Sequence, residues 1–418
     1  MRFFGIQLFF TTLLINLLLC PGYVFSQSVS NSDSIAVLHE KQLSDSVSKQ
    51  RDVRDIAAQL IPLKILQRKP DSIKIRPGKL FFAGWPALGY TIQTGVTALF
   101  TLNTSFLTGD SKSTNLSAIN IAPERSIYNQ QVILPLEFNI WSKDNKYNFL
   151  GDWRYYRYPS YTYGLGGYSS LSNADLVDYS YSRIYQQVLK RLTQNFYEGI
   201  GYALDYHWDI HATGNKTDFR QYNDSAVKTI SSGMFINIEY DSRHNTNNPQ
   251  GGMFADIVFR PNLTVLGSDN NWQSLQVDFR KYIRFPKNSR NILAIWNYDW
   301  FTFGNKVPYL DLPSTGWDTY SNLGRGYIQG RLRGPSLIYF ESEYRISLMK
   351  NGLLGAVVFA NAQSVSEYSS NKFETITPAA GAGIRTKINK FSNVNFAIDY
   401  AVGTGGSQGL FFNICEVF

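Results

Sequence analysis

The side chains in this sequence best placed to do chemistry are arginines. Between Leu323 and Ile346 it reads LGRGYIQGRLRGPSLIYFESEYRI, where glycine-flanked Arg325, Arg331 and Arg333 precede Glu341, Glu343 and Arg345. A guanidinium is a planar fork matched to carboxylates, so this composition points to ion pairing. Glu341 and Glu343 stand two apart, on one face if the segment is extended, a spacing that also suits an acid/base pair. Pairing with Arg325, Arg331, Arg333 or Arg345 is the commoner use of such carboxylates. His207 and His211 are four apart and are read as sharing a strand face, but no third residue completes a metal site. Tyr163-Gly164-Leu165-Gly166-Gly167 precedes no helix-period stretch, as a phosphate-binding loop would. No GxSxG elbow occurs. The expectation is a protein that is not an enzyme, with no catalytic set, no metal site and no cofactor.

The elements that must hold these residues read as strands. Leu337, Tyr339, Glu341, Glu343 and Arg345 alternate with Ile338, Phe340, Ser342, Tyr344 and Ile346, which separates charges from most apolar groups by face. The same period of two recurs at Val132–Ile140, Phe149–Tyr156, Tyr202–Tyr206, Met234–Asp241, Leu275–Arg280, Ala294–Trp300 and Val394–Tyr400, and Leu88–Leu102 reads as a Thr- and Gly-rich strand. Turn chemistry separates them at Lys143-Asp144-Asn145, Pro286-Lys287-Asn288, Asn351-Gly352 and Gly403–Gly409. A charged face opposite a lipophilic one fits a transmembrane barrel, where Arg or Lys on the lipid side near the midplane costs about 2–4 kcal/mol. At about ten residues per strand plus turns, 80–418 holds around sixteen antiparallel strands. The last of these is read as Leu410–Phe418, its closing aromatic resembling the signal by which outer-membrane barrels are recognised for insertion.

Composition agrees. Aromatic residues make up 15% of the chain, with 27 Tyr and 28 Phe, a richness suited to strands and interfacial girdles. In a soluble all-β protein, such rows would be an aggregation hazard. The formal charge of +8 is spread among strands and turns rather than gathered into a patch, so no nucleic-acid partner is expected. Met1-Arg2, the uncharged apolar run Phe3–Leu19, and Val24 and Ser26 before Gln27 read as a signal peptide over 1–26. A lipoprotein reading through Cys20 is weaker because Leu19 is bulky. With the leader gone only Cys415 remains, so no internal disulfide is expected. Residues 27–79 form a short extension, polar over Ser28–Gln50 and helix-spaced over Asp52–Gln67 through Val53, Ile56, Leu60 and Leu63, with Pro62 to kink or shorten the helix.

GRGYIQGRLRG followed by ESEYRISL resembles the signature of the BamA/TamA superfamily, the bacterial surface antigen family. EYDSRHNTNNPQGGMFADIVF resembles the family's strand–loop–strand element, and Tyr163–Gly167 also fits. The resemblance implies an outer-membrane barrel of a Gram-negative bacterium whose loop tip, here Arg325-Gly326-Tyr327, folds into the lumen. It further implies that Arg325 pairs with an acid matched by Glu343. The second acidic position of the family falls at Asn361, an amide here, which makes Glu341 the candidate substitute. The 27–79 extension is too short for one of the POTRA domains that precede such barrels. The function implied is assistance in insertion or translocation of protein or lipid, with outer-membrane lipid and a client outer-membrane protein or periplasmic lipoprotein as partners. The first strand (Leu88–Leu102) and the last would form a weak seam. A passive or plugged channel is the alternative.

Overall fold

In the computed structural model, residues 49–60 and 77–418 are described, apart from 92–94, 112, 128–129, 215–216, 218, 223–226 and 305. The leader read at 1–26 and most of the extension read at 27–79 lie outside the described residues. Eighteen strand segments form one sheet: β1 (Phe81–Thr91), β2 (Gly95–Phe106), β3 (Ser117–Ile121), β4 (Glu124–Ser126), β5 (Val132–Trp141), β6 (Tyr147–Arg157), β7 (Ser160–Thr162), β8 (Asp175–Arg191) and β9 (Phe196–Ala212) lead the first half. The second half is β10 (Lys228–Asp241), β11 (Gly252–Asn262), β12 (Trp272–Arg284), β13 (Ile292–Phe303), β14 (Ser336–Ser347), β15 (Leu354–Val365), β16 (Thr377–Asn389), β17 (Val394–Gly403) and β18 (Gln408–Ile414).

These eighteen segments make sixteen staves. β3 and β4 both lie between β2 and β5, and β6 and β7 both run along β8, so each pair is one interrupted stave. All staves are antiparallel to their neighbours, as in an outer-membrane barrel. β18 lies beside β1 and brings the sheet round on itself. Among the described residues no aligned ladder joins that pair, whereas β8 and β9 are matched from Val177↔Ala212 to Arg191↔Tyr197.

The two faces follow from the period-two pattern. Ile236, Ile238, Ile257, Phe259, Ile338, Phe340, Val358 and Ile384 are exposed on the outer wall, while Tyr339, Glu341, Glu343 and Arg345 are buried inside. Barrels of this kind carry long loops outside and short turns on the periplasmic side. The 304–335 connection between β13 and β14 therefore marks the outer end, and the short turns at 348–353 and 390–393 mark the other. At that short-turn end sits helix α1 (Val53–Leu60). Its start is a reciprocal capping box: the Asp52 amide donates to Asp55 Oδ2 at 3.0 Å, and the Asp55 amide to Asp52 Oδ1 at 3.1 Å. A helix this short is marginal alone. It is held by Lys390 Nζ on Asp55 (2.8 Å), by the Lys390 amide on Asp52 (3.1 Å), and by the Arg51 amide on the Asn351 carbonyl (2.9 Å).

Four sequence expectations are corrected. Leu88–Leu102 is a hairpin, the end of β1 turning into β2, because Gly95 at φ 65° begins a new strand. The last strand stops at Ile414, since Cys415 adopts φ 81° and sends residues 415–418 into the lumen. On β13 the faces are reversed: Ala294, Trp296 and Tyr298 are buried inside. Asn297 and Asp299 lie on the outer face beside Phe340 and Ile338, where Asn297 Nδ2 bonds Asp299 Oδ1 (3.1 Å) and the Tyr339 carbonyl (3.0 Å). Inside, Trp296 stacks on Phe418 and donates from Nε1 to Asp278 Oδ1 at 3.0 Å. Finally, His207 and His211 do not share a face. A register shift between Asp178 and Ser180, opposite Asp209 at φ 53°, leaves His207 buried beside Tyr181 and His211 exposed. No group of metal-ligating residues occurs among the described residues.

Candidate functional site: an arginine lock in the lumen

The wall of the lumen on β16 and β17 is made largely of small residues, and this makes the site possible. Ala379, Gly381 and Gly383 on β16, and Ala397, Ala401 and Gly403 around Asp399 on β17, take inward positions. A Cβ at Gly381 would stand 2.4 Å from the Phe359 ring, and one at Gly383 would stand 1.8 Å from Asp399 Oδ1. Those two glycines are therefore the space in which Phe359 and Asp399 sit. The 304–335 loop descends onto this wall.

Arg325 is the centre of the contact and is 1% exposed. Its Nη1 pairs with Asp399 Oδ2 at 2.7 Å, and its Nη2 with Glu343 Oε2 at 2.6 Å and with Glu341 Oε1. The guanidinium also lies over the Phe359 ring, 3.6 Å from its centroid. Glu341 accepts a further bond from the Tyr339 hydroxyl. A buried charge is costly unless paired, and this arrangement supplies three carboxylates to one arginine.

Excess negative charge is balanced by two neighbours. Arg345 Nε holds Glu343 Oε1 at 2.7 Å, and Arg385 Nη1 holds Asp399 Oδ1 at 2.5 Å. Arg385 Nε also meets Glu416 Oε2 at 2.7 Å. The result is a buried lattice of Arg325, Arg345 and Arg385 with Glu341, Glu343, Asp399 and Glu416. Its members come from the loop, from β14, β16 and β17, and from the segment after β18.

Gly326 and Tyr327 complete the tip. Gly326 has φ 104°, and a Cβ there would meet the Ala379 Cβ at 2.8 Å, so the close descent requires glycine. Tyr327 is buried against Gly403; its hydroxyl donates to the Pro378 carbonyl (2.5 Å) and accepts from the Thr404 amide (2.9 Å). Asn361, opposite Glu341 in the ladder, donates from Nδ2 to the Arg325 carbonyl at 2.9 Å. It thus holds the backbone of the tip rather than its charge.

All six residues singled out in the sequence, Arg325, Gly326, Tyr327, Glu341, Glu343 and Asn361, come together here. Arg331 and Arg333 do not. Arg331 binds Ser169 through Oγ (2.6 Å) and the carbonyl (2.7 Å), and Arg333 binds the Tyr309 carbonyl (2.9 Å), fixing the upper loop to its surroundings. The glycine-rich stretch meets the same region, with the Gly166 amide on the Arg333 carbonyl (2.8 Å) and the Gly167 amide on Glu367 Oε1 (2.8 Å). Sequence reasoning missed Asp399, Arg385 and Glu416. Asp399 carried a signal: it is the one acid on the inward β17 row of Asn395, Ala397, Asp399 and Ala401.

A shallow cleft of about 290 Å³ remains between the loop and the opposite wall, bounded by Glu137, Arg154, Tyr156 and Tyr320 among others. Arg154 is engaged there by Glu137 (2.6 Å) and Asp152 (2.5 Å).

No known protein-family profile matches the chain, and no curated protein sequence matches it. Its fold is similar to that of solved outer-membrane barrels. BamA from Haemophilus ducreyi lacking POTRA domains 1–3 superposes with a TM-score of 0.53 at 15% identity, over 81% of this chain and 70% of that one. CdiB from Escherichia coli gives 0.54 at 10% identity, over 80% and 62%, and CdiB from Acinetobacter baumannii gives 0.52 at 11%, over 80% and 59%. The chain thus spans about three fifths of either CdiB. At these identities the likeness is one of fold.

Proposed function

We propose that this protein resides in the outer membrane and assists insertion or translocation of protein or lipid there, working at the seam between β18 and β1. One observation carries the reading: the closing strand β18, beside β1, is seven residues long and the chain turns out of it at Cys415. A strand edge that opens is a template for another strand, so such a seam is where a client outer-membrane protein would add on. The arginine lock holds the 304–335 loop away from that edge, against β14–β17. No metal, cofactor or catalytic residue enters this reading.

The test is a cysteine pair placed across β1 and β18 in a Cys20→Ser, Cys415→Ser background. Oxidised barrels in lipid vesicles should lose the ability to speed folding of a denatured outer-membrane protein, and reduction should restore it. Equal activity in the oxidised and reduced states would remove the seam from the mechanism.

A second reading has its own observation. The loop and residues 415–418 both occupy the lumen, which suits a plugged channel. In that case, deleting Gly324–Gly334 should raise conductance in planar bilayers, while a barrel silent before and after would exclude it.

A further inference from the structure

The four residues after β18 neither continue the sheet nor trail into solvent. Cys415 turns inward at φ 81°, its amide bonded to the Asn395 carbonyl at 2.8 Å. Glu416 is buried between Arg385 Nε (2.7 Å) and Asn395 Nδ2 (2.7 Å), and its amide reaches the Asn247 carbonyl (2.9 Å) in the β10–β11 connection. The Val417 carbonyl accepts from Asn322 Nδ2 at 2.7 Å, three residues before Arg325. Phe418 is 3% exposed and stacks on Trp296 with centroids 5.2 Å apart, and Arg345 Nη2 donates to its carbonyl at 2.8 Å. Leu323 of the loop and Val417 and Phe418 belong to one apolar cluster.

This is the anatomy of a bound peptide. It has an aromatic anchor in a ring-lined pocket, a buried acid on an arginine, and main-chain carbonyls taken by side-chain donors. We propose that Cys415–Phe418 is an internal peptide ligand acting as a latch, seated in a lumen pocket specific for an acidic–aliphatic–aromatic segment. The latch ties the seam strand β18 to the loop lock. The coupling is physical: Glu416 and Asp399 share Arg385, Glu343 bridges Arg325 to Arg345, and Arg345 grips Phe418. Release of the loop unbalances the arginines that hold the latch. Withdrawal of the latch leaves Arg345 and Arg385 short of an acid, beside the lock. The inference goes beyond the proposed function, because it concerns how the barrel holds itself shut and stands whatever crosses the seam.

Cys415 is its own reporter. In a Cys20→Ser background it is the only thiol, so its alkylation by a maleimide in detergent measures latch opening. Only barrels that keep the compact mobility of unheated samples on a gel are scored. A separate Cys20→Ser, Cys415→Ser barrel carries Ser117→Cys, a fully buried site on β3, as a control for general loosening. Glu416→Gln and Phe418→Ala should each speed Cys415 alkylation about tenfold by raising the open population. Arg325→Ala, which touches no latch residue, should speed it about threefold through the shared arginines. The Ser117→Cys control should be unchanged by all three. The latch is overturned if neither Glu416→Gln nor Phe418→Ala changes the rate, or if control and Cys415 rise together. The coupling is overturned if Arg325→Ala leaves Cys415 as protected as before. A variant that yields no folded barrel is replaced by the other, since the charge and the ring are independent anchors.

Discussion

The wall at β8–β9 and the wall at β18–β1 are closed by different means. β8 and β9 are seventeen residues each and are joined along nearly their whole length by backbone ladder. Their inward side chains add a compact group in which Asp205 takes Arg260 at 2.6 Å and Tyr185 at 2.8 Å. β18 is seven residues, is laddered to β17, and lies beside β1. What secures it on the lumen side is a turn of chain, one acid and one ring. A ladder distributes strength over many amides, so loss of one side chain is local. A side-chain closure concentrates strength in a few buried charges, where loss of one partner leaves another unpaired.

That contrast can be broken or sharpened by substitution. Arg325→Ala removes the cation shared by three carboxylates, leaving Glu341 with no arginine partner, and should cost about 3–5 kcal/mol in thermal or denaturant unfolding of the detergent-folded barrel. An unchanged midpoint would mean that the lock is solvated. Arg260→Ala should cost a similar amount, about 3–5 kcal/mol, by exposing Asp205 to the same penalty, yet it should leave Cys415 alkylation where it was. A rise there would erase the distinction between the two walls. Asn361→Asp tests the lock more finely. It restores the acid expected from the resemblance, but removes the donor to the Arg325 carbonyl and adds a fourth carboxylate. It should destabilise by about 1–3 kcal/mol, and stabilisation would show that the lock is short of charge. The smallest effect is expected on the outer wall: Asp299→Leu removes a carboxylate from the lipid face and should stabilise by about 1 kcal/mol, less than the penalty for a cation at that depth. A loss of stability would mean that the Asn297–Asp299 pair is needed where it stands.

Much of this was legible in the sequence, for physical reasons. Alternation reports which face a residue takes, so the barrel and the inward Glu341–Glu343 pair followed from period two, while the number of staves followed from the length available at about ten residues per strand. The inward tip at Arg325-Gly326-Tyr327 came from the resemblance to the BamA/TamA signature, since spacing alone fits a solvated loop arginine equally well. Asp399 and Arg385 were hidden because lock partners on β16 and β17 are distant in sequence, and spacing within one strand carries no information about register with a loop. The reversal of β13 was illegible for a related reason. Trp296 suits lipid and lumen equally by hydropathy, and its inward place depends on partners distant in sequence, Phe418 stacked on it and Asp278 accepting from its Nε1. The inward turn at Cys415 had no local signal, since neither glycine nor asparagine marks that left-handed position.

The most direct test of a barrel with one wall held by side chains is amide hydrogen exchange on the folded protein, read peptide by peptide. β1 and β18 should exchange far faster than β8 and β9, and the gap should widen in Glu416→Gln. Protection of β1 and β18 as deep as that of β8 and β9, unchanged by the substitution, would contradict a side-chain-held seam.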